Sequence, residues 1–233
     1  MPPAVFPATL FDYNGVLVDD EAVHLAAFQA ALAPLGIALT EADYWERYLG
    51  FDDVGAFRAI LRDAGREAGD EQVRELVEAK KPLYLARAEG TLSPFEGARK
   101  LVERRAAAGP VGIVSGALRS EIELGLGVLG VTRLVSVVIS ADDTTESKPS
   151  PQGYEMGRAA LARLAGADIA RQALVIEDSI AGVEAARSAG LACIAVAHSY
   201  PAAELSAADL VVERLADITE AALETLYGAR HAH

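Results

Sequence analysis

The sequence predicts an α/β protein with a doubly wound, mostly parallel sheet and an inserted helical domain. Short apolar runs alternate with amphipathic stretches over most of the 233 residues. Several of these runs are nearly continuous in Val, Ile, Leu and Ala, which is typical of strands covered on both faces. One long interval near the start of the chain contains no strand pattern. Alternating strands and helices favour a parallel sheet with right-handed crossovers.

The sheet is predicted from six apolar runs. These strands are predicted at residues 8–11, 111–115, 135–140, 173–177, 191–197 and 209–212. Helical patterns lie between or beside them at residues 95–108, 118–129, 152–164, 180–189 and 217–226. A glycine lies just after four of these helices, near the position where a left-handed residue commonly ends a helix. The order of these elements predicts a Rossmann-like core.

The interval without strands predicts a second domain. Asp12 and Ser115 lie about 100 positions apart, whereas a strand–helix–strand unit takes roughly 30 residues. The interval carries helical patterns at residues 21–35, 40–49, 53–64 and 70–88. Pro82 is expected to kink or divide the last of these. We therefore predict a core domain of residues 1–18 and 91–233 and a helical cap domain of residues 19–90.

Composition excludes several classes of protein. The 34 acidic residues outnumber the 21 basic ones and give a net charge of −13. This balance argues against a nucleic-acid partner, because such binding relies on Lys and Arg to neutralise phosphates. Cys193 is the only cysteine, so neither an intrachain disulfide nor a cysteine-based zinc site is possible.

The chain is expected to act away from membranes. No apolar run approaches the ~20 residues that cross a bilayer. The first residues have neither the basic segment nor the apolar segment of a signal peptide. We expect a cytoplasmic protein, a monomer or weak dimer, that has no membrane partner.

Polar residues follow four of the predicted strands. In open parallel sheets, ligands bind beyond the carboxyl ends of the strands. The residues found there are Asp12 and Asn14 after the first strand, Ser115 and Gly116 after the second, Lys148 after the third, and Glu177 and Asp178 after the fourth. Because these ends share one edge of the sheet, we expect the four groups to meet.

The chemistry of these groups fits phosphoryl transfer. Asp12, Glu177 and Asp178 offer the carboxylate oxygens that Mg²⁺ prefers. The hydroxyl and backbone N–H groups of residues 115–116 are suited to phosphate oxygens. Lys148 would offset the crowded anions and steady the transferring group. A carboxylate such as Asp12 can attack phosphorus to give an aspartyl-phosphate, with the metal reducing the repulsion between anions.

At these residues the sequence resembles the haloacid dehalogenase-like hydrolase superfamily, in particular its β-phosphoglucomutase-like phosphatases with a helical cap. The four motifs of that family occur in order, and the cap falls in the expected gap. The resemblance implies a Mg²⁺-dependent phosphatase of small phosphorylated metabolites, similar to sugar phosphates. It assigns the nucleophile to Asp12 and a backbone carbonyl ligand of Mg²⁺ to Asn14. It assigns phosphate contacts to Ser115 and Lys148, beside the Gly116 N–H noted above, and further metal ligands to Glu177 and Asp178.

The resemblance also implies substrate contacts from the cap. It places His24 at a position that often faces the substrate and residues 50–53 at the specificity loop. The mutases of the family have an Arg near Asp53 that holds a second phosphate, and this Arg is absent here. A phosphomutase is therefore the less favoured alternative. Lys80 or Lys81 could replace part of that charge, although solvated lysines are more common at such positions.

One residue departs from the family pattern. Asn14 stands where the family usually has an Asp that exchanges protons with the leaving group, a contribution of roughly 10²–10⁴ in rate. Three hypotheses follow. In the first, the enzyme is slow on esters or acts well on substrates whose leaving group needs no proton, such as acyl phosphates. In the second, Asp19, Asp20 or His24 replaces the missing acid. In the third, Asn14 was introduced into the sequence or deamidates in part to Asp. A catalytically silent protein that binds phosphorylated ligands is a further alternative.

Overall fold

A six-stranded sheet forms the centre of one of the two units into which the chain divides. The computed structural model describes residues 5–67 and 69–231. The core unit comprises residues 1–18 and 94–233, and the helical unit comprises residues 19–93. The neighbouring strands of the six-stranded sheet are parallel and are joined largely through helices, so the predicted α/β class is confirmed.

The strands reproduce the apolar runs of the sequence. They are β1 (Ala8–Phe11), β2 (Val18–Asp19), β3 (Ser93–Pro94), β4 (Val111–Val114), β5 (Val135–Ile139), β6 (Ala173–Glu177), β7 (Ala192–Val196) and β8 (Leu210–Val212). The main sheet has the order β5-β4-β1-β6-β7-β8, and β2 pairs with β3 separately. Each of the six predicted strands is present, with its ends within one residue of the prediction. The strands β1, β4, β6 and β7 are buried along their whole length, as expected for a sheet covered on both faces.

The helices divide between the two units. They are α1 (Glu21–Leu32), α2 (Glu41–Asp43), α3 (Asp53–Asp63) and α4 (Asp70–Ala88) in the helical unit, and α5 (Ala98–Ala108), α6 (Arg119–Leu129), α7 (Gln152–Ala165), α8 (Ala167–Arg171), α9 (Ile180–Ser188) and α10 (Glu220–His231) in the core unit. The helix predicted at residues 40–49 is instead the short α2 followed by a wider π-helical turn at Tyr44–Tyr48. The last helix begins later than predicted and continues past residue 226.

Pro82 does not divide α4, which continues unbroken for 19 residues. A proline inside a helix removes one backbone hydrogen bond and crowds the carbonyl of the preceding turn. Here Pro82 lies on the exposed side of the helix, where water can satisfy that carbonyl. The buried side of α4, which includes Val73, Val77 and Tyr84, packs in the interior of the helical unit. This packing outweighs the local cost, so the predicted division is wrong.

The strand order fixes where a ligand site should lie. From β1 the chain adds β4 and β5 on one side and then returns to add β6, β7 and β8 on the other. Ligands bind beyond the carboxyl ends of the strands at such a reversal of direction. The residues that follow β1, β4 and β6 therefore occupy the expected position. None of the helices in the described ranges has the length and hydropathy that a membrane crossing requires.

Candidate active site

Three carboxylates meet at the carboxyl edge of the sheet. Asp12 follows β1, and Glu177 and Asp178 lie at the end of β6 and directly after it. The two strands are adjacent, and the Asp12 N–H donates to the carbonyl of Ile176 at 2.9 Å. One oxygen from each of the three carboxylates lies within 4.8 Å of the others, and all three residues are buried. Strand pairing alone therefore brings together residues that are more than 160 positions apart in the sequence.

Lys148 bridges two of these carboxylates. Its Nζ lies 2.9 Å from Asp12 Oδ1 and 2.5 Å from Glu177 Oε1. Burial alone would lower the pKa of Lys148, but Asp12 and Glu177 outweigh it and raise the pKa above its usual value. The ammonium is therefore charged at every physiological pH. The ring of Tyr154, in the first turn of α7, lies 5.3 Å from Nζ.

Glu177 is held by donors on both of its oxygens. Oε1 accepts from Lys148 and from the hydroxyl of Tyr154 at 2.8 Å. Oε2 accepts from the backbone N–H of Asp178 at 2.9 Å and from the N–H and hydroxyl of Ser179 at 3.0 Å. Burial would raise the pKa of Glu177, but the adjacent Lys148 and these donors lower it. A metal ion bound directly to Glu177 would have to displace one of them, so its role as a ligand stays a prediction.

Asp178 makes a contact that the sequence analysis did not predict. The hydroxyl of Ser199, in the loop after β7, donates to Asp178 Oδ2. Burial and the charges of Glu177 and Asp12 raise the pKa of Asp178 well above its usual range. Ser199 could have been found, because it also follows a strand at the same edge of the sheet. That strand, β7, ends at Val196, three residues before Ser199.

Ser115 and Asn14 meet beside Asp12. Ser115 follows β4, and its hydroxyl donates to Asn14 Oδ1 at 3.3 Å while it accepts from the N–H of Ala117 at 3.2 Å. Gly116, next in the chain, is exposed. One edge of the core unit therefore holds Lys148 together with the site residues predicted after β1, β4 and β6. Their roles in binding and catalysis remain predictions.

The donor set fits a divalent cation. Asp12, Glu177 and Asp178 are three buried carboxylates, and Lys148 supplies one positive charge to two of them. Such an excess of buried negative charge is costly unless a cation balances it. Burial, partly offset by Lys148 and reinforced by Glu177, raises the pKa of Asp12 to about 6. Carboxylate oxygens at this spacing are typical ligands of Mg²⁺.

His24 lies in the helical unit, and both of its ring nitrogens have partners there. Nδ1 lies 2.8 Å from Lys80 Nζ, and Nε2 lies 3.2 Å from Asp20 Oδ2. The substrate contact predicted for His24 is not tested by this arrangement. Lys80 is fully buried, donates to Asp53 and lies 4.5 Å from the centre of the Phe28 ring. The interpretation of Lys80 as a solvated lysine is therefore wrong.

The sheet order and the carboxylate–lysine cluster define an α/β protein with a polar ligand site at the carboxyl edge of its sheet. Residues 9–196 match the sequence profile of the haloacid dehalogenase-like hydrolases. The match covers well over half of the chain, so the chain belongs to that family. The resemblance inferred from the four motifs is confirmed.

Named relatives and a solved structure agree with this assignment. The chain is 35% identical over 109 residues to validoxylamine A 7'-phosphate phosphatase of Streptomyces hygroscopicus subsp. limoneus, covering 47% of this chain and 49% of that protein. It is 29% identical over 217 residues to phosphoglycolate phosphatase of Yersinia pestis, covering 91% and 90%. The crystal structure of CbbY from Rhodobacter sphaeroides in complex with phosphate superimposes with a TM-score of 0.78 at 25% identity, covering 91% of this chain and 96% of that one.

Proposed function

We propose that the chain is a Mg²⁺-dependent phosphatase of small phosphorylated metabolites that acts through an aspartyl-phosphate on Asp12. The observation that carries the proposal is the buried cluster in which Lys148 contacts Asp12 and Asp178 lies beside it. The names of two relatives, a validoxylamine phosphate phosphatase and a phosphoglycolate phosphatase, support a small phosphorylated substrate.

The chemistry follows from the positions of the side chains. A carboxylate oxygen of Asp12 attacks phosphorus, the bond to the leaving oxygen breaks, and a water then attacks the aspartyl-phosphate to release phosphate and restore Asp12. Lys148 remains charged and neutralises phosphoryl oxygens as negative charge develops on them. Ser115 and the Gly116 N–H would hold the same oxygens. Asp12, Asp178, the Asn14 carbonyl and, as predicted, Glu177 would hold Mg²⁺. The bound ion would reduce the repulsion between the attacking carboxylate and the phosphoryl group.

Asn14 limits which substrates react quickly. Its amide cannot give a proton to a leaving alkoxide or take one from water, and Ser115 donates to its oxygen. Ester turnover should therefore be slow, whereas acyl phosphates, whose leaving group needs no proton, should react without this handicap. We favour this hypothesis over replacement of the acid by Asp19, which is exposed, or by Asp20 or His24. The Asp20 carboxylate accepts from the Tyr84 hydroxyl at 2.5 Å and contacts His24, so both groups are already engaged.

Deamidation of Asn14 is disfavoured by the local backbone. The reaction requires the nitrogen of Gly15 to attack the side-chain amide carbon of Asn14. That nitrogen donates its hydrogen to the carbonyl of Val18 at 3.0 Å, and Gly15 is held at a φ of 71°. Breaking this arrangement would be necessary before the ring intermediate could form. Asn14 should therefore persist as an amide.

We assign to the helical unit the role of the cap that the family resemblance implies. Closure of such a unit would exclude bulk water during phosphoryl transfer. The contacts of Lys80 argue against the phosphomutase alternative. Its ammonium donates to Asp53 and is fully buried, so it offers little charge to a second phosphate. This arrangement favours a substrate with one phosphate group.

The test combines a substrate screen with capture of the intermediate. The full chain is assayed against phosphorylated metabolites and acyl phosphates with Mg²⁺ and with EDTA, and the phosphoenzyme is trapped in acid. We expect Mg²⁺-dependent phosphate release and a hydroxylamine-sensitive label that is absent from Asp12→Asn. Ligand binding with no label and no release would favour the catalytically silent alternative. A requirement for a bisphosphate activator would instead identify a mutase.

A further inference from the structure

The loop after β7 contacts the candidate metal ligands from a direction that the four family motifs do not cover. Ser199 donates from its hydroxyl to Asp178 Oδ2. Its neighbour His198 places Nδ1 2.8 Å from the carbonyl oxygen of Gly15. Two consecutive residues therefore contact both segments of the site, the one after β6 and the one after β1.

Gly15 is packed against this loop without space for a side chain. Its φ is +71°, and a Cβ atom there would lie 1.9 Å from Asp178 Oδ2 and 2.8 Å from Ser199 Oγ. Its N–H donates to the carbonyl of Val18 at 3.0 Å, while its own carbonyl contacts His198. Both polar backbone groups of Gly15 are therefore held. The peptide that joins Asn14 to Gly15 can move little while these contacts persist.

His198 is itself fixed by a stacked ring. Its imidazole lies on the ring of Phe95 with centroids 4.0 Å apart and planes at 17°. Phe95 donates its backbone N–H to the carbonyl of Leu17 at 3.1 Å, in the same segment as Gly15. The stack and this hydrogen bond hold His198 at a defined distance from the segment that it contacts. The arrangement is part of the core unit throughout.

We propose that His198 and Ser199 are positioning residues for the metal site, an inference that rests on the proposed function. Ser199 orients the carboxylate of Asp178, and His198 fixes the backbone that presents the Asn14 carbonyl. Groups that hydrogen-bond to metal ligands commonly change metal affinity or activity 10–100-fold when removed, although they do not touch the ion. Neither residue contacts the reacting phosphoryl group in this proposal, so the substrate affinity at saturating metal is unaffected.

The primary test removes one hydroxyl. Ser199→Ala is compared with wild type and with Ser206→Ala, a matched control at an exposed serine in the same loop region. Binding of Mg²⁺ to the full chain is measured by calorimetry, and binding of Mn²⁺ by electron paramagnetic resonance. We expect Ser199→Ala to weaken both affinities by roughly 10-fold or more, with Ser206→Ala equal to wild type. Ser199→Thr, which keeps the hydroxyl, should restore most of the affinity.

A second variant keeps the inference testable if Ser199→Ala does not fold. His198→Phe retains a ring to stack on Phe95 but cannot donate to Gly15, and it should also weaken Mg²⁺ binding. The concentration of Mg²⁺ that gives half-maximal activity should rise in parallel with the loss of affinity. Equal metal affinities in wild type and in the folded variants would overturn the positioning role while leaving the proposed function standing. Failure of wild type itself to bind Mg²⁺ would overturn both.

Discussion

Both units bury charged side chains, but they arrange them in opposite ways. In the core unit three carboxylates lie within 4.8 Å of one another, with Lys148 contacting two of them. In the helical unit acidic groups alternate with other partners in a continuous series, which runs from Asp53 through Lys80, His24 and Asp20 to Tyr84. The first arrangement concentrates negative charge, and the second disperses it.

The core unit has the charge pattern of a ligand-binding site, whereas the helical unit has that of a polar network that stabilises its fold. Concentrated buried charge costs stability until a cation binds, because Lys148 balances only part of the negative charge of the three carboxylates. In an alternating network each charged or polar group has a partner within the protein, so the network depends less on a cation from outside. Burial of ionisable residues is therefore not enough to identify an active site. The sign and spacing of the buried charges decide between the two.

The largest effect is expected at the nucleophile. Asp12→Asn should reduce kcat/KM on the order of 10⁴-fold or more, because it removes the attacking oxygen. The variant should nevertheless fold, since it also removes one of three crowded negative charges. Enzyme kinetics and thermal unfolding in EDTA check the two expectations. Asp168→Asn is the matched control, at an acid that is exposed on α8, and should change neither quantity.

Breaking the network of the helical unit should affect stability more than chemistry. Lys80→Met leaves the partly buried Asp53 carboxylate without its cation, and loss of one partner of a fully buried pair typically costs about 3–5 kcal/mol, which is the upper limit expected here. Urea unfolding measures this loss. Lys81→Met, at the neighbouring half-buried lysine, should be close to neutral. Equal stability of the two variants would contradict the contrast drawn between the units.

A carboxylate in place of the Asn14 amide should increase the rate of ester hydrolysis at the site of the core unit. Asn14→Asp supplies a group that can exchange protons with the leaving oxygen, so ester hydrolysis should rise by roughly 10²–10⁴-fold. Hydrolysis of an acyl phosphate should change little, because its leaving group needs no proton. Asn14→Gln, which remains an amide, serves as the control. If ester hydrolysis does not rise in Asn14→Asp, the argument from the missing acid is wrong.

The smallest effect concerns the pH dependence of the metal-free protein. The pKa of Asp12 is about 6 in the folded chain against an ordinary value of 3.8, so the folded state binds more protons than the unfolded state between these values. The contribution of Asp12 to stability should then fall by on the order of 2 kcal/mol as pH rises from about 4 to 6. Thermal unfolding in EDTA tests this, with Asp12→Asn as the comparison that lacks the group.

Addition of Mg²⁺ should reverse that loss. An ion that binds only the folded state stabilises it in proportion to the logarithm of its concentration above Kd. Because protons compete for the same oxygens, the gain in melting temperature should be larger at pH 7 than at pH 5. A gain that is the same at both values, or that persists in Asp12→Asn, would argue against an ion at this cluster.

Much of the core could be predicted because strand composition and strand ends carry strong local signals. The continuous apolar runs gave all six strands, and parallel pairing then implied that Asp12 would meet Glu177 and Asp178. The position of Ser199 after β7 could be predicted from the same strand-end signal, but the hydrogen bonds of Ser199 to Asp178 and of Tyr154 to Glu177 could not. They depend on the directions of side chains in a loop and on a helix, and nothing in the adjacent sequence specifies those directions.

The helical unit was less predictable for a related reason. Lys80 and Lys81 are neighbours of the same type, and only the rotation of α4 decides that the first is buried and the second is partly exposed. Pro82 does not divide α4, one of its two predicted effects, because packing of the opposite face of the helix outweighs a local preference. Where tertiary contacts determine the outcome, patterns within one helix are insufficient.

The central position of β1 has a consequence for how the chain matures. This strand is complete by residue 11, yet its two neighbours in the sheet are β4 and β6, which follow about 100 and 160 residues later. During synthesis the apolar residues of β1 stay exposed until β4 and β6 have left the ribosome and can pair with it. Contacts between such distant segments fold slowly and leave apolar surface open to association in the meantime. Ribosome-bound fragments that end before β6 should therefore depend on chaperones.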